Sequence, residues 1–509
     1  MTAEADDLQA MGKSHFRGST LLVGGRVLAI VFTLATQVVL VRALTREEYG
    51  SFAFALAIAS ASQRLISLGT GQALSRFVAI YEEERDYPRL FGSIAVAVTT
   101  VLAGTAVLVA VVLAFSDALI GELSEQPDAR TVLLLMVALA PLEALDTLLV
   151  NLFAVFSKAR AIFVRKYLVA PGLRLLVVLA LALLGQDVVF LAIGYVATGL
   201  VGILIYAGLL VPVLRERRLL EHLRWRQFRW PVRTVLAFSG AMLTADLVYL
   251  AMNTVSVMIL AQTHGASDVA GFRAVFSPAR LNQFVFAGFL VLFLPLASRM
   301  FSRGDVDGLR QAYWRNALML AVFSFPVFAM TGVFSQTTTV TLFGDVYADA
   351  APVLTLLAVG YYVNVAFGFN AATLQVFGRL RYVVCANVGV AALNVGLGFL
   401  LIPRYGMLGV GVASCAALVC QNLAMQVGLR STISTALVDR AYVIPYALVA
   451  AAVAVLVGLR WLLEPGFVLS VLLAGTATLL LVWLTRRRLE LADTFPELQR
   501  VPVLRRFVA

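Results

Sequence analysis

Six ionisable side chains stand in stretches where almost every neighbour is apolar: Arg26, Arg64 and Arg174, and the acids Glu143, Asp146 and Asp246. An arginine at mid-bilayer costs at least about 2.5 kcal/mol, so such a residue faces a wet cavity, meets an anionic partner or snorkels to the headgroups. Its planar fork grips carboxylate or phosphate oxygens through two parallel hydrogen bonds. Glu143 and Asp146 are three residues apart, on one helix face, where they could share a proton or Na+. They could equally pair with Arg26 or Arg174 and only lock helices together. Asp246, with Thr244 and Asn253 on neighbouring turns, is likewise a proton or cation candidate. Arg174 follows Pro171-Gly172, where its helix could start later. No metal-ligand spacing, nucleophile elbow or phosphate loop occurs, so no cofactor is expected beyond a coupling ion, Na+ or H+. Cys385, Cys415 and Cys420 fall in apolar segments and read as small buried residues.

The elements that must carry these charges are membrane helices. Hydrophobic residues make up 61% of the 509 and charged ones 14%, against about a quarter charged in soluble domains, and mean hydropathy is +0.90. A crossing needs roughly 20 apolar residues. Fourteen segments satisfy this: 18–42, 47–70, 91–116, 131–156, 166–185, 188–213, 236–261, 276–298, 316–334, 350–375, 382–402, 406–428, 442–462 and 466–484. None alternates with period two, which favours helices over a barrel. With a cytoplasmic N-terminus, thirty Lys and Arg fall on the inner side and seven on the outer, namely Arg42, Arg46, Arg130, Arg273, Arg280, Arg404 and Arg460. By the positive-inside rule both termini are cytoplasmic, and the net charge of +11 is mostly an orientation signal. The basic run from Arg215 to Arg233 reads as a contact with anionic headgroups rather than with nucleic acid. The polar first seventeen residues lack a cleavage pattern and read as a cytoplasmic segment before an uncleaved span.

The chain also repeats itself. Phe156-Ser157-Lys158-Ala159-Arg160 returns 221 residues later as Phe377-Gly378-Arg379-Leu380-Arg381, and the same offset carries Gly50 onto Gly271. Near that offset Ser75-Arg76-Phe77 is matched by Ser298-Arg299-Met300, and the links at Gln186-Asp187 and Pro403-Arg404-Tyr405 are both very short. The expected fold is all-α and integral to the membrane, with two six-helix lobes related by a pseudo-twofold along the bilayer normal and two extra C-terminal helices. Its parts are a cytoplasmic segment 1–17, a lobe 18–213, a basic linker 214–235, a lobe 236–428, helices at 442–484 and a cytoplasmic tail 485–509. Asn364, Asn370, Asn387 and Asn394 are expected to join helices by hydrogen bonds, and Pro278, Pro295 and Pro326 to bend them.

Several runs carry a resemblance. Val41-Arg42-Ala43-Leu44-Thr45-Arg46-Glu47-Glu48-Tyr49-Gly50-Ser51-Phe52, then Leu68-Gly69 and Ala73-Leu74-Ser75-Arg76-Phe77, look like the opening of polysaccharide-export flippases. Leu342-Phe343-Gly344-Asp345-Val346-Tyr347, Ala351-Pro352-Val353-Leu354, Asn394-Val395, Leu401-Ile402-Pro403-Arg404-Tyr405-Gly406 and Gly409-Val410-Gly411-Val412-Ala413 extend the likeness over nearly the whole chain. Together they resemble the lipid-linked oligosaccharide flippase branch of the multidrug, oligosaccharidyl-lipid and polysaccharide exporter superfamily. The resemblance implies alternating access in the cytoplasmic membrane, transport of a polyprenyl-diphosphate-linked glycan for lipopolysaccharide or other cell-envelope polysaccharide, and no enzymatic step. It also implies a cationic cavity lined by arginines of helices 1, 2 and 8, which fall on Arg26, Arg64 and Arg280. The expected partners are the glycan, membrane lipids and the polysaccharide polymerase machinery, with the chain a monomer.

Two other functions stay open on the residues. A cation-coupled drug antiporter of the same superfamily should favour acids over arginines in its pocket. A membrane polysaccharide polymerase or ligase should carry a sizeable outward loop, whereas the outward loops here are short and His264 is their only histidine. The charge distribution makes a direct prediction: cysteines introduced as Arg217→Cys and Arg487→Cys should be shielded from an impermeant thiol reagent outside the cell, and Asp345→Cys should react. Outside labelling at position 217 would reverse the orientation.

Overall fold

A computed structural model describes residues 24–26, 28–120, 128–156, 163–222, 227–433 and 439–489. The expected segment 1–17, the hinge residues 157–160 and the tail beyond 489 lie outside the described residues. All described regular structure is helical. Twelve helices among the described residues are long and apolar enough to cross a membrane, where fourteen crossings were expected. The difference lies at two glycines. The segments expected at 382–402 and 406–428 run on as Leu380–Ile433, which kinks at Gly406 (φ 55°, ψ −134°). Those expected at 236–261 and 276–298 both overlap the apolar run Asp246–Leu290, which turns at Gly265 (φ 73°, ψ −168°).

The chain divides into two compact units, one ending at Ala270 and one starting at Gly271. In the first, helix α1 is Gly24–Ala43 and α2 is Arg46–Ser67, opened by a capping box between Thr45 and Glu48. A left-handed pair, Leu68 and Gly69, breaks it from α3, Thr70–Glu83. Then follow α4 (Tyr87–Ile120), α5 (Ala129–Val155), a π-helical turn Phe163–Val169, α6 (Ala170–Leu184) and α7 (Val188–Glu216). Helix α8 (Val232–Leu250) passes through a second π turn, Ala251–Val255, into α9 (Ser256–Ala279). Helix α5 sits at the centre, against α2, α3, α4 and α7, and its Leu148, Leu152 and Phe153 are buried there.

The division at 270/271 differs from a boundary in the linker 214–235, because α8 packs inside the first unit. Val235 clusters with Ala73 and Val96, and Phe238 meets Phe77 edge-on with ring centroids 5.8 Å apart. Farther along, a Cβ on Gly50 would overlap the carbonyl of Ala266, so α2 and the start of the turned part of α9 approach backbone to backbone.

The second unit holds α10 (Asn282–Ser302), α11 (Val306–Phe328) with a π turn Ala329–Val333, α12 (Ser335–Phe343) and α13 (Ala351–Ala366). It continues with α14 (Asn370–Val376), α15 (Leu380–Ile433), α16 (Arg440–Leu463) and α17 (Phe467–Leu489). Here α11 is central, against α10, α13, α16 and α17, with Tyr313, Trp314 and Phe325 wholly buried. The two C-terminal helices, which have no partner in the repeat, are thus seated on α11. Of the expected asparagine contacts, Gln421 donates to Asn387 Oδ1 at 2.9 Å and Asn422 donates to the Asn364 carbonyl at 3.3 Å. Asn394 differs: it is buried and neither amide atom has a partner among the described residues. Gly50→Val should lower the yield of folded protein and its thermal unfolding temperature in detergent, whereas Gly240→Ala, in open space, should be neutral.

Candidate functional site

Among the described residues of the first unit, the acids inside the apolar helices α5 and α8 take part in three arginine–carboxylate bridges. Arg64, in the last turn of α2, donates to Asp246 of α8 at 3.0 Å. Arg174 of α6 donates to Glu143 of α5 at 2.6 Å. Arg165, in the π turn before α6, donates to Asp146 one turn along α5 at 2.8 Å. Glu143 and Asp146 follow Pro141 inside α5 and, three residues apart, reach two different arginines. Each bridge brings together charges that would be costly alone in the bilayer.

Helix α7 builds the floor under two of these bridges. The Tyr195 ring lies 5.3 Å below the Arg174 guanidinium and the Tyr206 ring 5.4 Å below that of Arg165, both within cation–π range. Gly202, one turn before Tyr206, leaves the space that Arg165 fills: any Cβ there would overlap the guanidinium. Arg165 is consequently only 4% exposed. Arg64 stays more open, at 34% of its side chain, with Asp246 at 23%. Around it runs a polar face: Gln63 approaches Thr147, Thr147 donates to the Glu143 carbonyl at 2.8 Å, and Ser75 donates to Asn151 at 3.0 Å.

Arg26 is exposed on α1 and makes no ion pair or hydrogen bond to another described residue. Its neighbour Gly25 lies tightly against Phe163 and Tyr167, which sets α1 beside the π turn that carries Arg165. Arg280 belongs to the second unit, at the break between α9 and α10, with Nε 3.4 Å from Gln283 Oε1 and its guanidinium 5.4 Å from the Phe276 ring. The first unit therefore gathers Arg26, Arg64, Arg174 and all three acids. Arg165, Tyr195, Gly202 and Tyr206 were not singled out from sequence. Arg165 looked like one more inner-side basic residue, and Gly202 did not stand out among the four glycines of α7. No group of three or more His, Cys, Asp or Glu among the described residues could hold a metal. What the arrangement can do is exchange partners: a guanidinium held by a carboxylate can be taken by a stronger anion, which frees the acid.

Comparisons with known proteins bear on which anion. A family model described as polysaccharide biosynthesis protein matches residues 16–301, more than half of the chain. The lipopolysaccharide biosynthesis protein WzxC of Escherichia coli (strain K12) is 27% identical over 186 residues, a match that spans 32% of this chain and 36% of that protein, so about a third of its length. Among solved structures, the lipid II flippase MurJ in an inward closed conformation has a TM-score of 0.69 at 12% identity, over 93% of this chain and 99% of that one. A multidrug resistance MATE family transporter of the MOP superfamily, inward-facing, has a TM-score of 0.66 at 16% identity, over 80% and 94%. These structural likenesses are likenesses of fold.

Removing one partner of a buried pair strands the other charge, at a cost of about 3–5 kcal/mol, whereas removing both can be nearly neutral. Asp146→Leu should therefore lower the unfolding temperature sharply, and Asp146→Leu with Arg165→Leu should recover most of the loss. Gly202→Ala should act in the direction of Arg165 loss, because it fills the slot. Thermal unfolding of the four proteins in detergent checks this, and strict additivity would deny the coupling.

Proposed function

The chain belongs to the polysaccharide biosynthesis protein family, and on that premise we propose that it is a flippase. Its substrate is a polyprenyl-diphosphate-linked oligosaccharide, moved from the inner to the outer leaflet of the cytoplasmic membrane for surface polysaccharide assembly. The carrying observation is the Arg64–Asp246 bridge, 3.0 Å long and partly open. A diphosphate competes with Asp246 for the Arg64 fork, because phosphate oxygens accept the same pair of hydrogen bonds with more charge. Arg26, exposed on α1, adds a second cation, with Arg280 and Arg174 as further contacts. Asp246, once released, is an unpaired acid at bilayer depth and takes up H+ or Na+. Substrate binding and ion binding are thereby linked through one guanidinium, and Glu143 and Asp146 are secondary coupling candidates.

The wider reading is alternating access by rocking of the two repeats, with the kinks at Gly265 and Gly406 counted so that the helices make fourteen crossings in two six-helix lobes and a C-terminal pair. Both termini lie in the cytoplasm, and the chain works as a monomer beside the polymerase machinery. An apolar groove of about 330 Å³ between α16 and α17, lined by Leu448, Val455, Leu459, Leu473 and Leu480, supports a place for an isoprenoid chain. The antiporter alternative is weakened by the same bridges: an organic cation needs an acid not already held by arginine, and each of the three acids has its guanidinium.

Flux of a fluorescent lipid-linked oligosaccharide in proteoliposomes tests the reading. Arg26→Ala and Arg64→Ala should each abolish translocation with normal insertion, and Arg64→Lys should keep part of it, since the point charge survives without the fork. Asp246→Asn should bind substrate more tightly and lose dependence on the ion gradient. Normal flux in both alanine variants would return these arginines to snorkelling.

A further inference from the structure

The second unit contains an arginine handled quite differently from those of the first. Arg460, in the last turn of α16, donates to the Val333 carbonyl at 2.8 Å and makes no ion pair with another described residue. That hydrogen bond orients the guanidinium at the end of the π turn but leaves its charge unneutralised. Beside it lies a cavity of about 390 Å³ lined by Ser335, Gln336, Pro352, Thr355, Leu356 and Arg460. None of its lining residues is a carboxylate. The Thr355 hydroxyl donates to Ser335 Oγ at 2.7 Å, which joins two walls of the pocket, and Thr337 donates to the Pro465 carbonyl at 3.3 Å, which draws the α16–α17 link against α12.

Two helices begin in this pocket. Ser335 and Gln336 open α12, Ala351 and Pro352 open α13, and neither start has a side-chain cap. The positive end of the α12 dipole therefore faces the same space as the guanidinium, whereas α13 continues a 3-10 turn over Asp345–Ala350 whose Ala348 carbonyl takes the Ala351 N–H. An uncapped, hydroxyl-lined cationic pocket without an acid is built for an anion with several acceptor oxygens. Its surroundings say where that anion comes from. The residues next to Arg460 are strongly exposed and apolar, with Trp461 at 82% and Leu462 at 78%. A tryptophan beside an arginine at a helix end is the usual pattern at the membrane interface.

We propose that this pocket binds the phosphate of an anionic phospholipid headgroup, gripped by Arg460 and the start of α12, with the acyl chains against Trp461 and Leu462. The bound lipid bridges α12, α13 and α16, so it steadies α16 within the second unit. The site is separate from the substrate arginines and does not rest on the flippase reading.

The test uses the purified full-length chain in detergent, titrated with dioleoylphosphatidylglycerol, dioleoylphosphatidylcholine or inorganic phosphate, with thermal unfolding and native mass spectrometry as readouts. Phosphatidylglycerol should raise the unfolding temperature and phosphatidylcholine should not. The apparent affinity should fall at least tenfold in Arg460→Gln and partly return in Arg460→Lys. Gln336→Glu, at an exposed position, sets a negative charge in the pocket without touching the core and should abolish the response even if Arg460→Gln folds poorly. Equal responses of wild type and Gln336→Glu, or no preference for phosphatidylglycerol, would overturn the site. Stabilisation by inorganic phosphate alone, as large as that by the lipid, would overturn the lipid assignment.

Discussion

Hydrocarbon offers a charged side chain no water, and the first unit is organised around that constraint. Its acids on α5 and α8 each meet an arginine from another element, so every neutralised charge is also a tie between two parts of the chain. Asp246 holds α8 to α2, Glu143 holds α5 to α6, and Asp146 holds α5 to the π turn that precedes α6. The rest follows from accommodating the guanidinium groups: Gly202 gives up its side chain for Arg165, and two tyrosines of α7 lend ring faces. The most buried bridge, at Arg165, suits a fixed joint. The two more open ones, at Arg64 and Arg174, suit exchangeable joints.

The second unit solves a different problem. Its core is aromatic, and three of its tyrosines tie neighbouring helices through their hydroxyls. Tyr362 donates to the Ala321 carbonyl at 2.8 Å and Tyr446 to that of Ala366 at 2.6 Å, while Tyr313 donates to Gln426 at 2.7 Å. Such bonds hold helices without placing charge in the membrane. Phe328 stacks on Tyr362 at 4.2 Å, and Trp314 on Tyr442 at 6.0 Å, which seats α16 against α11.

On that reading, coupling needs no long pathway. One guanidinium cannot be fully engaged by a carboxylate and a diphosphate at once, so an ion on Asp246 raises the affinity for the diphosphate and the diphosphate raises the affinity for the ion, a linkage reciprocal by thermodynamic necessity. Whatever ion Asp246 accepts then favours the substrate-loaded state. Membrane potential adds about 2.3 kcal/mol per charge per 100 mV to any step that carries net charge across.

Much was legible in the sequence because its signals are local. Helical crossings follow from runs of apolar residues, and the breaks at Gly265 and Gly406 fall where adjacent apolar segments were expected to part. Arg26, Arg64, Arg174, Glu143, Asp146 and Asp246 announced themselves by cost alone, since a charge in an apolar run has to be accounted for. Their partners did not. Arg174 was one of two cations considered for the acids of α5, but Arg165 was hidden among inner-side basic residues, and Asp246 was read as a lone acid. Nor could the pattern place α8 in the first unit, since a helix's apolar residues look the same whichever neighbour they cover. Periodicity tells which residues share a face, and charge tells which residues need a partner. Which face meets which, across 182 residues from Arg64 to Asp246, is decided only when the helices pack.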